Sequence, residues 1–187
     1  MPAPRLVRAT PDDWEKYRQL WLRMFRHRPD EFPPTHGEDP EEWTREDWQR
    51  RMSGANGEGI TLAVESTDGC WQAMATAFIE EDLGERIAYL RESYIDRIDD
   101  DSEWLSLSGP LVEGMMHWAS SERISRTYTD ILSDRHRVIR FLEATGARRT
   151  GVERASGAAG GLSAIEFVWD ITELAGEGLS DAGEKRG

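Results

Sequence analysis

The sequence predicts a mixed α/β (α+β) domain, with a mostly antiparallel sheet of about six to seven strands and helices on both faces. Three observations give that class. Apolar residues near the N-terminus recur at helical spacing, the middle of the chain alternates like strands, and a strand–loop–helix–strand order follows IAYLRESYID.

Residues 5–9, RLVRA, read as a short strand. Thr10-Pro11-Asp12-Asp13 then combines a capping residue, a proline at the first helical position and acids in the first turn, so a helix follows. Its apolar residues Trp14, Tyr17, Leu20, Trp21, Met24 and Phe25 keep three- and four-residue spacing, which buries one face. HRPDEFPPTHGEDP is a loop. Asp39-Pro40-Glu41-Glu42 repeats the start signal and opens a second helix over WTREDWQRRM, which ends before SGANGEG. ITLAVES and CWQAMATAFIE form a hairpin around Thr67-Asp68-Gly69. IAYLRESYID, the third strand of this meander, leads through the acidic linker RIDDDS into a loop of small residues, EWLSLSGP. A helix over LVEGMMHWASSER, a strand near ISRTYTDIL, a helix VIRFLEATG closed by Gly146, and a last strand SAIEFVWDI complete the order β-α-α-β-β-β-α-β-α-β. The crossover through the loop should be right-handed, and ligands favour the carboxyl ends of such strands.

A chain of 187 residues suits one buried core, so one domain is expected over residues 1–173, with a small polar tail over 174–187. The formal charge of −13 repels nucleic-acid phosphates and favours cationic partners. No apolar run is long enough to span a bilayer, and the N-terminal residues lack the apolar core of a signal peptide. The single cysteine, Cys70, allows no internal disulfide, and the four histidines show no metal-ligand spacing. A cytoplasmic protein without a metal, acting on neither nucleic acid nor membrane, is the expectation.

Three stretches resemble the GCN5-related N-acetyltransferases, and the likeness spans residues 5–171. SYID, the following loop and LVEGMMHWA look like that family's fourth strand, pyrophosphate loop and third helix. SDRHRVIRFLEATGARRTG looks like its last helix and the turn after it, and the N-terminal strand with two helices looks like its acceptor-binding region. There are departures. The family's Arg/Gln-x-x-Gly-x-Gly loop falls on Glu103, Ser106 and Ser108, its frequent general-acid tyrosine on Leu142, and its closing Gly-Phe on Gly146-Ala147.

The resemblance implies acetyl-CoA, or another acyl-CoA, as co-substrate and a small amine-bearing molecule as acceptor. It places the cofactor against Ile95, Ser106, Leu107, Ser108 and Gly109, with Arg135 and Arg140 near its phosphates. Backbone N–H groups converging at a helix start would attract pyrophosphate, and serine retains the N–H that glycine supplies. Between Arg123 and Arg154 eight arginines face four carboxylates, in a chain that is acidic elsewhere. Glu92 is a candidate general base acting through water, and Tyr94 and Tyr128 are candidate general acids. Each residue also has a structural alternative: Glu92 paired with Arg91 or Arg97, the tyrosines in the core, the loop serving only as a helix cap. Trp21, Phe25, Trp43 and Trp48 either wall an acceptor pocket or fill the core. Dimers are common on this fold, and a homodimer through FVWD is an open expectation. Three functions compete: an acyl-CoA-dependent N-acyltransferase, an enzyme of the same fold with other chemistry, and a binding or assembly module without catalysis.

Overall fold

Thr10 opens the helical region in the expected way: its backbone N–H and its hydroxyl each donate to the Asp13 carboxylate at 2.8 Å. The computed structural model describes residues 4–27, 39–53, 57–82, 84–96, 98–155 and 163–171. Its elements are β1 (Arg5–Arg8), α1 (Trp14–His27), α2 (Arg45–Ser53), β2 (Gly59–Glu65), β3 (Trp71–Asp82), β4 (Glu85–Ile95), α3 (Asp101–Ser121), β5 (Arg126–Leu132), α4 (His136–Ala144), β6 (Arg148–Ala155) and β7 (Ser163–Asp170). The strands form a seven-stranded, mostly antiparallel sheet in the order β1-β2-β3-β4-β5-β7-β6, flanked by helices. Among the described residues no helix is long and apolar enough to cross a membrane.

The chain divides into two compact units. The first comprises the residues up to Phe78 and Leu90–Met115; the second, mainly Ile79–Tyr89, Met116–Ser156 and the last strand. In the first, β1 pairs antiparallel with β2 and β2 with β3, and α1 lays Tyr17, Leu20, Trp21 and Met24 into a core shared with Trp48, Trp71, Met74 and Tyr94. The Asp39 signal starts only a 3-10 turn, Pro40–Glu42. The α-helix proper begins after Thr44, whose N–H and hydroxyl reach Asp47 at 3.0 and 2.6 Å.

In the second unit β7 pairs antiparallel with β5 on one side and β6 on the other. Within FVWD, Phe167 and Val168 are paired on both sides, and Trp169 and Asp170 pair with β5. Strand β6 was not expected from the sequence. Every one of its residues is exposed, so no apolar alternation announces it, and Gly151 at φ +88° interrupts its register.

The expected loop at EWLSLSGP is a correction. Residues 103–110 are helical, inside the 21-residue α3. Asp100 caps this helix: its carboxylate accepts from the Glu103 N–H at 2.8 Å and its carbonyl from the Trp104 N–H at 3.0 Å. Leu107, Ser108, Leu111, Met115, Trp118 and Ala119 are buried, one stripe at helical spacing that runs straight through the segment. That continuous stripe outweighs Pro110, whose place in the helix interior costs one hydrogen bond.

Candidate functional site

Period-two alternation along β4 turns Glu92 and Tyr94 to one face, and both are buried, at 6% and 2% exposure. In the first unit that face meets α1 and α2. Tyr17 of α1 donates its hydroxyl to Glu92 Oε2 at 2.6 Å, and Arg51 of α2 makes an ion pair with Glu92 Oε1. Burial, and next the charge of Glu92, hold the Tyr17 phenol well above its ordinary pKa, so it stays a neutral donor. The cation paired with Glu92 is thus Arg51, from α2; Arg97, one of the two neighbours a strand-edge pairing would use, lies outside the described residues.

Arg51 is itself enclosed. Its guanidinium carbon lies 4.8 Å from the ring centroid of Trp21 and 5.2 Å from that of Trp43. Trp21, Trp43 and Trp48 touch one another with centroids 4.8 to 5.6 Å apart, and Phe25 stacks on Trp21. The four aromatic residues suggested as pocket wall or core are therefore one stack. Trp21 and Trp48 are fully buried, whereas Trp43 and Arg51 reach the surface in part.

Further along β4, the Tyr94 hydroxyl lies 2.6 Å from His27 Nδ1, at the exposed end of α1. Arg23 fastens the strand end by reaching Asp96 at 3.1 Å and the Trp71 carbonyl at 2.7 Å. The structure thus brings Glu92 and Tyr94 together. Tyr128 belongs to the second unit, where its ring stacks on Tyr89 at 5.3 Å. Of the loop HRPDEFPPTHGEDP, residues 28–38 lie outside the described residues.

The segment expected to hold pyrophosphate does not fit one. Ser106, Leu107, Ser108 and Gly109 lie inside α3, where helical hydrogen bonding engages their N–H groups. The Ser106 and Ser108 hydroxyls fold back onto the carbonyls of Glu103 and Trp104 at 2.6 and 3.0 Å. The start of α3 is acidic, with Asp101 and Glu103 in its first turn and Asp100 already capping it. An anion would be repelled there. The first turn of α4 carries no acid; Arg135 stands at its N-cap, and Arg137 and Arg140 follow. Among the described residues no cluster of three His, Cys, Asp or Glu side chains could hold a metal.

No protein-family model matches the sequence, and no curated protein matches it. Solved structures do. An N-acetyltransferase from Staphylococcus aureus Mu50 superposes with a TM-score of 0.65 at 14% identity, covering 91% of this chain and 99% of the other. A GCN5-related N-acetyltransferase from Kribbella flavida gives 0.66 at 15% identity over 90% and 98%. An acetyltransferase of the same family from Streptococcus pneumoniae gives 0.66 at 15% identity over 90% and 99%. From its first strand to its last, the chain has the fold of the GCN5-related N-acetyltransferases.

Proposed function

We propose that the chain is an N-acyltransferase that moves an acyl group from acetyl-CoA, or another acyl-CoA, to the amine of a small molecule. The observation that carries this reading is Glu92, a buried carboxylate on the inward face of β4, held from both sides by Tyr17 and Arg51. The bound thioester supplies the activated acyl group. In the transfer a C–N bond forms, the C–S bond breaks, and the amine sheds a proton. Glu92 receives that proton, directly or through one water. Among the described residues each of its oxygens accepts one bond, and a carboxylate oxygen has room for a second. Tyr17 and Arg51 are positioning residues. Tyr94 returns a proton to the leaving thiolate, and its bond to His27 connects that proton to solvent.

The start of α3 and the start of α4 differ as places for the donor's phosphates. Residues 103–109 do not suit pyrophosphate, so we assign the donor's phosphates to the start of α4, where helix polarity favours an anion and Arg137 and Arg140 add to an Arg135 that is paired with Asp134. Calorimetry with CoA tests this: binding should be weakened about tenfold by Arg140→Glu and left unchanged by Ser108→Ala. Equal binding by both variants would remove Arg140 from the site.

One observation favours a second reading. The helical course of residues 103–109 and the acids around Asp100 are what a chain that has given up CoA would also show. The same titration separates the two. Absence of CoA binding at millimolar concentration would leave a protein of this fold with a different reaction.

A further inference from the structure

A line of buried oxygens runs through the core of the first unit and ends at Glu92. The Thr61 hydroxyl of β2 donates to the Met52 carbonyl of α2 at 2.8 Å and lies 2.9 Å from the Thr76 hydroxyl of β3. Thr76 is in hydrogen-bond contact with the Tyr17 phenol oxygen, and Tyr17 donates to Glu92 Oε2 at 2.6 Å. Thr61, Thr76, Tyr17 and Glu92 are all buried, so these groups must satisfy one another.

The protons of this line can be counted. Each hydroxyl carries one, and the Met52 carbonyl only accepts. While Glu92 is a carboxylate, three protons serve four contacts; the single Thr76 proton goes either to Thr61 or to Tyr17, and one contact stays empty. When Glu92 carries a proton, the contacts are all filled. Every group then donates in one direction: Glu92 to Tyr17, Tyr17 to Thr76, Thr76 to Thr61, and Thr61 to Met52. The other oxygen of Glu92 faces Arg51, whose charge favours the carboxylate.

We propose that Thr61 and Thr76 are positioning residues for proton transfer, completing a hydroxyl chain that closes when Glu92 takes a proton from the acceptor amine. The inference rests on the acyl-transfer reading only for the source of that proton. The amine's N–H bond breaks and an O–H bond forms on Oε2. That O–H and the hydroxyls of the chain turn about their C–O bonds, and no proton changes oxygen within the chain. Because the chain ends at a backbone carbonyl it cannot pass the proton onward, and Glu92 returns it to water. Arg51 on one side and the chain on the other support both states of one carboxyl, as a base that works in every turnover requires.

The test is a double-mutant cycle on the purified full chain, without any acyl donor, read by urea unfolding at neutral pH. Glu92→Gln stands in for the protonated carboxyl, with its amide oxygen towards Arg51 and an amide N–H towards Tyr17. In the parent the chain accommodates that N–H. Thr76→Val keeps the shape and removes the hydroxyl, so the Tyr17 proton loses its alternative acceptor. Glu92→Gln should therefore lower the folding equilibrium constant at least about fivefold more in the Thr76→Val background than in the parent. In Thr76→Ser, which keeps the hydroxyl, it should cost what it costs in the parent. Thr61→Val should act in the same direction by a smaller factor, and it replaces Thr76→Val if that variant does not fold. Equal costs in all backgrounds overturn the proposal, and so does a Thr76→Ser variant that behaves like Thr76→Val. With a substrate amine, kcat should fall at least about fivefold in Thr76→Val at unchanged KM and recover in Thr76→Ser; a loss confined to KM overturns the positioning role. Coupling in the cycle without acyl transfer by the parent would leave the chain standing and overturn the acyl-transfer reading alone.

Discussion

The Tyr17 phenol donates to one oxygen of Glu92 at 2.6 Å while the Arg51 guanidinium holds the other, joining α1, α2 and β4 at one carboxylate. Such a triad is sensitive to what is removed. Arg51→Ala leaves a buried carboxylate without its cation and should cost about 3–5 kcal/mol. Tyr17→Phe removes one bond and should cost about 1–3 kcal/mol. Urea unfolding of the three proteins checks the order; an Arg51→Ala variant as stable as the parent would mean that the ion pair is not held inside.

Tyr17 also fixes a pH dependence. Its pKa is raised in the folded chain, chiefly by burial, so between the ordinary phenol value near 10 and its own value the folded state binds the extra proton. The stability it contributes is complete below about pH 10 and is lost as pH rises further. Absorbance at about 295 nm should show a phenol that ionises only together with unfolding. Early ionisation of all four tyrosines would contradict its burial.

Two glycines of α3 should respond with opposite sign. A Cβ at Gly109 would meet nothing within 4 Å, so Gly109→Ala should stabilise the helix by about 0.5–1 kcal/mol. A Cβ at Gly114 would lie 2.8 Å from both Leu6 and Leu62, so Gly114→Ala should destabilise by about 1–3 kcal/mol. Thermal unfolding measures both. A destabilising Gly109→Ala would mean that residues 103–110 form a loop after all.

Much of this arrangement is legible before any coordinates. The cap at Thr10 and the turn glycine Gly69 lie where cap and turn chemistry require, and β2, β3 and β4 follow their alternation. The early start of α3 was also written in the chain, because Asp100 with Glu103 three residues later is a helix-start pair and the apolar spacing runs back to Leu107. Ser106 and Ser108 before Pro110 argue locally for a loop, because serine competes for backbone hydrogen bonds and proline interrupts the helical ladder. Strand β6 carried no such signal, since an edge strand exposed along its whole length is polar throughout. Glu92 could be singled out from its place on β4. Arg51 could not: it lies 41 residues away, and a cation near the end of a short helix reads as a solvated face until Trp21 and Trp43 are seen to enclose it.

The most direct test of the account is product formation. The full chain is incubated with acetyl-CoA and a panel of small primary amines, and acetylated product is followed by mass spectrometry for the parent and for Glu92→Gln, which keeps the shape of the triad. The account predicts an N-acetylated amine from the parent, formed at least about a hundredfold more slowly by Glu92→Gln. Equal rates from the two proteins, or no acetylated product from the parent, would contradict it.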